Sequence, residues 1–144
     1  AFSYVNDPKT IAAGYRPVSI NATLQVDLQG QCASEGFGTL HHGGIGGQWN
    51  FHYGAGQAED GKAIMTLPST AKKGTVSRIV PMLAAGTAVS IPRNDIHWVV
   101  TEHGAVDLRG KPLDERARLL ISIAEPAFRD ELEHAARTAL HVLR

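Results

Sequence analysis

The chain has 144 residues, 43% hydrophobic and 19% charged, enough for one globular domain with its own core. Its 14 basic and 14 acidic side chains give a formal net charge of zero, which leaves no electrostatic footprint for nucleic acid or an anionic membrane. The single Cys32 excludes an internal disulfide, and neither a membrane span of roughly 20 apolar residues nor a signal segment is present, so the cytoplasm is the expected location.

The opening Ala1-Phe2-Ser3-Tyr4-Val5 has no initiator methionine and meets a helix-start signal almost at once. The expectation is one domain over residues 1–144, cut from a longer protein or left by processing. Asp7 as N-cap and Pro8 at the first helical position predict a short helix over Lys9–Ala13, stopped by Gly14. Val18–Asn21 reads as extended, and Leu24–Leu28 alternates apolar and polar residues. Gly30-Gln31 turns the chain toward the run Gly43-Gly44-Ile45-Gly46-Gly47. Phe51–Ala58 then reads as a short helix, and Ala63–Leu67, Ala88–Ile91 and His97–Val100 as strands. Pro112 sits early in a helical stretch through Ala124, with Leu113, Ala117, Leu120, Ile121 and Ala124 at three- to four-residue spacing. Pro126 opens a second helix with Phe128, Leu132, Ala135, Ala139 and Leu143 on one stripe. Strands interspersed with short helices, then covering helices, predict an open α/β sheet, whose ligand crevices lie at the carboxyl ends of strands.

The glycine run carries the chemistry. Bare amides at such a turn form a nest for phosphate, carboxylate or a developing oxyanion; a tight surface turn is the plainer reading. Gly56–Lys62 has the spacing of a phosphate-binding loop, but Ala63 replaces the magnesium-binding hydroxyl and a strand, not a helix, follows. A charged turn explains it better. His41 and His42 point to opposite faces of an extended segment, and with His52 they lack zinc-site spacing, so no metal is expected. No serine elbow is present, and Cys32 has no activating neighbour in sequence. Glu102, at the end of an apolar strand, reads as a capping residue or a partner of Arg109, with an active carboxylate as the other reading. Ser69–Pro81 gathers cations and hydroxyls: either a phosphate contact through lysine or a solvated basic turn.

Taken in order, these blocks resemble the C-terminal domain of the acetyl-CoA hydrolase/transferase family, which includes 4-hydroxybutyrate CoA-transferases. The resemblance runs through Tyr4-Val5-Asn6-Asp7-Pro8, Val18–Asn21, Val26–Gln31 and the glycine loop. It continues through Ser77–Pro81, Val99–Glu102, Leu108–Lys111, Glu115–Ala117 and Phe128-Arg129, nearly the whole chain. It implies an open sheet with flanking helices of the CoA-transferase (NagB/RpiA-like) type. It also implies ping-pong transfer of CoA between an acyl-CoA and a small carboxylate, or hydrolysis of the acyl-CoA, through a glutamyl-CoA thioester.

The family's nucleophilic glutamate follows a His-Thr pair that this chain lacks, so an upstream domain of the same protein is the implied partner, with a homodimer common in the family. Glu102 matches a different family glutamate. By the same resemblance, the Gly47 N–H matches an oxyanion-hole and CoA-contacting glycine, Gly43 and Gly46 are close-approach positions beside it, Lys72 matches a lysine near the CoA phosphates, and Asn6 matches an asparagine that organises the glutamate. Coenzyme A is then a substrate and no cofactor is implied. Two departures stand out: Asn50 where the family usually has Asp, and His103 where Tyr is usual. A non-catalytic CoA-binding module is the rival reading.

Overall fold

The computed structural model describes residues 2–143. Two short helices, α1 (Phe2–Val5) and α2 (Pro8–Ala12), come first. Asp7 caps α2: its carboxylate accepts from the N–H of Lys9 (3.4 Å) and Thr10 (3.2 Å) and from the Thr10 hydroxyl (3.0 Å). These bonds satisfy donors that the first turn leaves without helical partners and, led by the Thr10 hydroxyl, hold the carboxyl below its usual range.

Strands β1 (Val18–Ala22), β2 (Gln25–Asp27), β3 (Cys32–Ala33), β4 (Gly36–Phe37) and β5 (Leu40–His41) lead to helix α3 (Gln48–Gln57). Next come β6 (Lys62–Thr66), β7 (Thr70–Ala71), β8 (Val76–Ser77), β9 (Ile79–Val80), β10 (Trp98–Thr101) and β11 (Gly104–Asp107). Helix α4 (Leu113–Ser122) and helix α5 (Arg129–Thr138), entered by a 3-10 turn at Pro126–Phe128, close the chain. The main sheet has the order β1-β6-β10-β11, its first three strands parallel and β11 antiparallel. A second sheet runs β3-β2-β9, and β4-β5 and β7-β8 pair as hairpins. This is the mixed α/β architecture with an open sheet and flanking helices that the sequence predicts.

Met65, Val99 and Val106 on one face of the main sheet share a core with Ala117, Leu120 and Leu132 of the last helices. Val26, Leu28, Cys32 and Ile79 extend that core beneath the second sheet. Helix α2 lies tightly across α3: a Cβ at Gly54 would stand 2.8 Å from the Ile11 Cβ and 2.9 Å from the Pro8 carbonyl oxygen. No helix among the described residues is long and apolar enough to cross a membrane.

Three of the expected elements differ most, and strand β11 (Gly104–Asp107) is an addition to them. Helix α3 begins at Gln48 rather than Phe51, directly on the last glycine of the loop. Ala88–Ile91 is no strand; it makes one bridge, Cys32 with Ile91, because β3 offers two residues and Pro92 has no N–H to continue a ladder. Helix α5 stops at Thr138, short of Leu143. His141 takes φ +54° and the N–H groups of Val142 and Leu143 turn back to the Ala136 carbonyl, so a reversed tail, not helical spacing, buries Leu143.

Candidate active site

The glycine loop joins β5 to α3 above the carboxyl ends of β1 and β6. Gln48 anchors it there: its Nε2 donates to the carbonyl of Ala22 (2.6 Å) and lies 3.8 Å from the Met65 sulfur. At the other end, the N–H groups of His42 (2.7 Å) and Gly43 (3.3 Å) donate to the Glu35 carbonyl. Between these anchors the N–H groups of Gly44, Ile45, Gly46 and Gly47 have no acceptor among the described residues. Gly46 takes φ +58°, and Gly47 (φ −88°, ψ 5°) is the N-cap, its carbonyl accepting from the Phe51 N–H at 3.2 Å. A Cβ at Gly43, Gly44 or Gly46 would meet nothing within 4 Å, so the space beside this backbone is open. Unengaged donors at the positive end of a helix are equipped to receive an anionic oxygen.

Asn6 belongs to this group. A Cβ at Gly47 would stand 2.6 Å from the Asn6 Nδ2, so the side-chain amide lies against the N-cap. The cause is the α2–α3 seam, since Asn6 directly precedes the Asp7 cap. Lys72 stands apart. It sits exposed in the β7–β8 turn at φ +48°, and its carbonyl accepts from the Thr75 hydroxyl (2.9 Å). There it lines a cleft of about 350 Å³ with Gln25, Phe37 and Arg78. Phe37 meets the His42 ring edge-on at 5.9 Å, which links the Lys72 cleft to the start of the glycine loop.

A family model, the acetyl-CoA hydrolase/transferase C-terminal domain, matches residues 1–136. The chain belongs to this family. It is 53% identical over 134 residues to the succinyl-CoA:cyclohexane-1-carboxylate CoA transferase of Geobacter metallireducens, covering 93% of this chain and 31% of that protein. The crystal structure of RipA from Yersinia pestis is 48% identical and similar in fold at a TM-score of 0.90, over 97% of this chain and 31% of RipA. The 4-hydroxybutyrate CoA-transferase of Porphyromonas gingivalis is 43% identical with a TM-score of 0.76, over 94% of this chain and 30% of that one. This chain therefore spans about a third of the length of the proteins it matches.

Other residues of this acetyl-CoA hydrolase/transferase C-terminal domain sort as follows. Glu102 accepts from the Ser69 N–H (2.9 Å) and hydroxyl (2.7 Å), and the hydroxyl leads in holding its carboxyl below the usual 4.5. Arg109 is not its partner: it donates to the Gly56 carbonyl (2.9 Å) and stands 2.8 Å from the His97 Nδ1, tying the end of α3 to β10 and β11. Glu102 lines a cleft of about 570 Å³ with Ala22, Thr66 and Val100, at the carboxyl ends of the parallel strands. Gly56 lies inside α3 and β6 starts at Lys62, so Gly56–Lys62 runs from helix to strand, opposite to a phosphate-binding loop.

His41 and His42 are exposed and His52 is buried in α3, so the three histidines do not form a group. Among the described residues, the ligand atoms that converge, within 4.8 Å, belong to Glu102, His103 and Glu125. Cys32 is fully buried, and burial pushes its thiol far above its usual range, which leaves no thiolate for nucleophilic work. Sequence reasoning gave no role to Gln48 or Phe37, and took Ser69 only as part of the basic, hydroxyl-rich stretch Ser69–Pro81, not as the partner of Glu102. A polar residue opening a helix directly after a glycine run was a usable signal for Gln48. Nothing local in the sequence marks the bond of Ser69 to Glu102, because the two lie 33 residues apart.

Proposed function

We propose that this domain is the C-terminal portion of an enzyme that moves CoA between an acyl-CoA and a small carboxylate, or hydrolyses the acyl-CoA. The glutamate nucleophile lies outside the chain, in an upstream region of the same protein. Its carboxylate attacks the thioester carbonyl and expels the CoA thiolate, leaving a mixed anhydride. The thiolate then attacks the glutamyl carbonyl, releasing the acyl group as a carboxylate and leaving a glutamyl-CoA thioester. An incoming carboxylate reverses these steps to give a new acyl-CoA; water instead frees the glutamate and CoA.

Each addition turns a carbonyl oxygen into an oxyanion, and the Gly47 N–H stabilises it. Gly43 and Gly46 let the thioester approach the backbone, Asn6 organises the attacking carboxylate, and Lys72 neutralises a CoA phosphate. CoA is a substrate, and these steps call for no cofactor.

The observation that supports this reading most is the row of acceptor-free N–H groups from Gly44 to Gly47 at the start of α3, with open space beside it and Asn6 against its last member. The test is to expose the intact protein to acyl-CoA and trap the thioester with borohydride or hydroxylamine. Mass spectrometry should find one modified glutamate upstream of residue 1. Turnover without any adduct would remove the ping-pong mechanism, and CoA binding with neither turnover nor adduct would favour a non-catalytic module.

A further inference from the structure

Strands β10 and β11 meet in a tight turn, Glu102-His103, whose side chains the proposed mechanism leaves unused. The turn is held against the end of α4. The Thr101 hydroxyl donates to the Ile123 carbonyl (2.7 Å) and accepts from the His103 N–H (3.1 Å). A Cβ at Gly104, which takes φ +150°, would stand 3.3 Å from the Ile123 Cγ2. Glu125, just beyond α4, reaches the same turn: the His103 Nε2 lies 2.9 Å from the Glu125 Oε2 and 4.0 Å from the Glu102 Oε1. One ligand atom from each of the three falls within 4.8 Å of the others.

An ion pair alone does not balance this group. A protonated imidazole offsets one carboxylate and leaves the other uncompensated, and among the described residues neither glutamate has another cationic partner within 4.0 Å. Arg129, the cation nearest to Glu125 in sequence, donates its Nε to the Ala124 carbonyl instead (3.0 Å). A divalent cation offsets both carboxylates and leaves His103 neutral, the form in which imidazole is a ligand. One nitrogen with two carboxylates favours zinc over Mg²⁺ or Ca²⁺, which take all-oxygen sets. Ligand atoms on a tetrahedral zinc stand about 3.4 Å apart, within small side-chain rotations of the present spacing. Glu102 is already oriented, since it accepts from the Ser69 N–H (2.9 Å) and hydroxyl (2.7 Å), as carboxylates that bind metals commonly do from groups behind them.

We infer that Glu102, His103 and Glu125 form a zinc-binding site at the rim of the cleft of about 570 Å³ that Glu102 lines. His103 decides the matter, because the tyrosine usual at this position offers no imidazole nitrogen. All three side chains reach solvent, so an ion can enter. The bound ion cancels the charge that Glu102 brings to the cleft. With three protein ligands it also keeps a coordination position for water or a carboxylate oxygen.

The test is a calorimetric titration of chelator-treated intact protein with Zn²⁺, and with Mg²⁺ and Ca²⁺ in parallel. The expected result is one equivalent of Zn²⁺, bound in the micromolar range, that His103→Tyr removes. Ser69→Ala, which only loosens Glu102, should weaken that equivalent about 10–100-fold, and Glu125→Gln by no less. Because the ion binds the folded form, Zn²⁺ should raise the thermal midpoint of the unaltered protein by more than that of His103→Tyr. Glu125→Gln carries the comparison should His103→Tyr fail to fold. Absence of zinc binding, which leaves a His103–Glu125 ion pair alone, overturns the inference. So does an equivalent that survives His103→Tyr, which places the ion on other residues, and so does Mg²⁺ or Ca²⁺ binding as tightly as Zn²⁺, the behaviour of a plain acidic patch. Glutamyl-CoA trapping tests the ping-pong mechanism separately, and neither outcome there bears on the zinc site.

Discussion

Gly54→Ala probes the seam that carries Asn6 to Gly47. The new Cβ would stand 2.8 Å from the Ile11 Cβ, 2.9 Å from its Cγ2 and 2.9 Å from the Pro8 carbonyl oxygen. Carbon contacts settle near 3.5–4.0 Å, so α2 must withdraw by about 0.7 Å or Ile11 must leave its rotamer. Overpacking of this kind costs about 1–3 kcal/mol, against about 1 kcal/mol gained when alanine replaces glycine inside a helix. The expected balance is a loss of about 1 kcal/mol, read as a lower urea midpoint at unchanged slope. Because α2 also holds Asn6, turnover of the intact protein should fall with it. Pairing the change with Ile11→Ala removes one of the three contacts and should recover about 0.5 kcal/mol in a double-mutant cycle. If Gly54→Ala instead stabilises the protein by the full helical preference, the two helices do not meet as described and the positioning of Asn6 loses its cause.

Three further outcomes follow from individual side chains. Burial lowers the His52 pKa to about 4 from the usual 6.5, with Asp95 offsetting only part of the shift. The unfolded chain then gains a proton near pH 6.5 that the folded one refuses until about 4, so stability falls across that window by as much as ~3 kcal/mol; His52→Leu should flatten the slope of urea midpoints against pH. The bonds from Ser69 that depress the Glu102 carboxyl stabilise the fold above its usual 4.5 and fade as pH drops through the lowered value. Ser69→Ala should therefore move the Glu102 carboxylate resonance titration upward, with a stability deficit at neutral pH that vanishes in acid. Lys72→Met should raise KM for acyl-CoA about three- to tenfold with kcat nearly constant, and high salt should shrink the difference; an unchanged KM would remove Lys72 from the CoA site.

How much of this was legible in the sequence depends on the range of the interaction. The Asp7-Pro8 start of α2 and the stripe of α4 are local, and they read correctly because capping and helical spacing act within a few residues. Ala88–Ile91 reads as a strand but forms none, because it is apolar yet lacks a partner with room, whereas β11 (Gly104–Asp107) has no signal of its own in the sequence and is a short return strand specified by β10. Within the site, the glycine run announced itself by composition, and Gly54, which lets α2 close on α3, gave no such notice. The meeting of Asn6 with Gly47 needed the α2–α3 seam, which depends on a single missing Cβ at residue 54. The bonds from Ser69 to Glu102 cross 33 residues, beyond any local pattern, which is why Arg109, nearby in sequence, was the wrong partner to expect.

The most direct measurement removes one hydrogen atom's worth of donation. Glycolic acid incorporated at position 47 of the intact protein replaces the amide N–H by an ester oxygen and adds no side chain against Asn6. If that N–H receives the oxyanion, kcat should fall about 10²–10³-fold while KM for acyl-CoA changes little. Turnover within a few-fold of the unaltered protein would contradict the role given to Gly47.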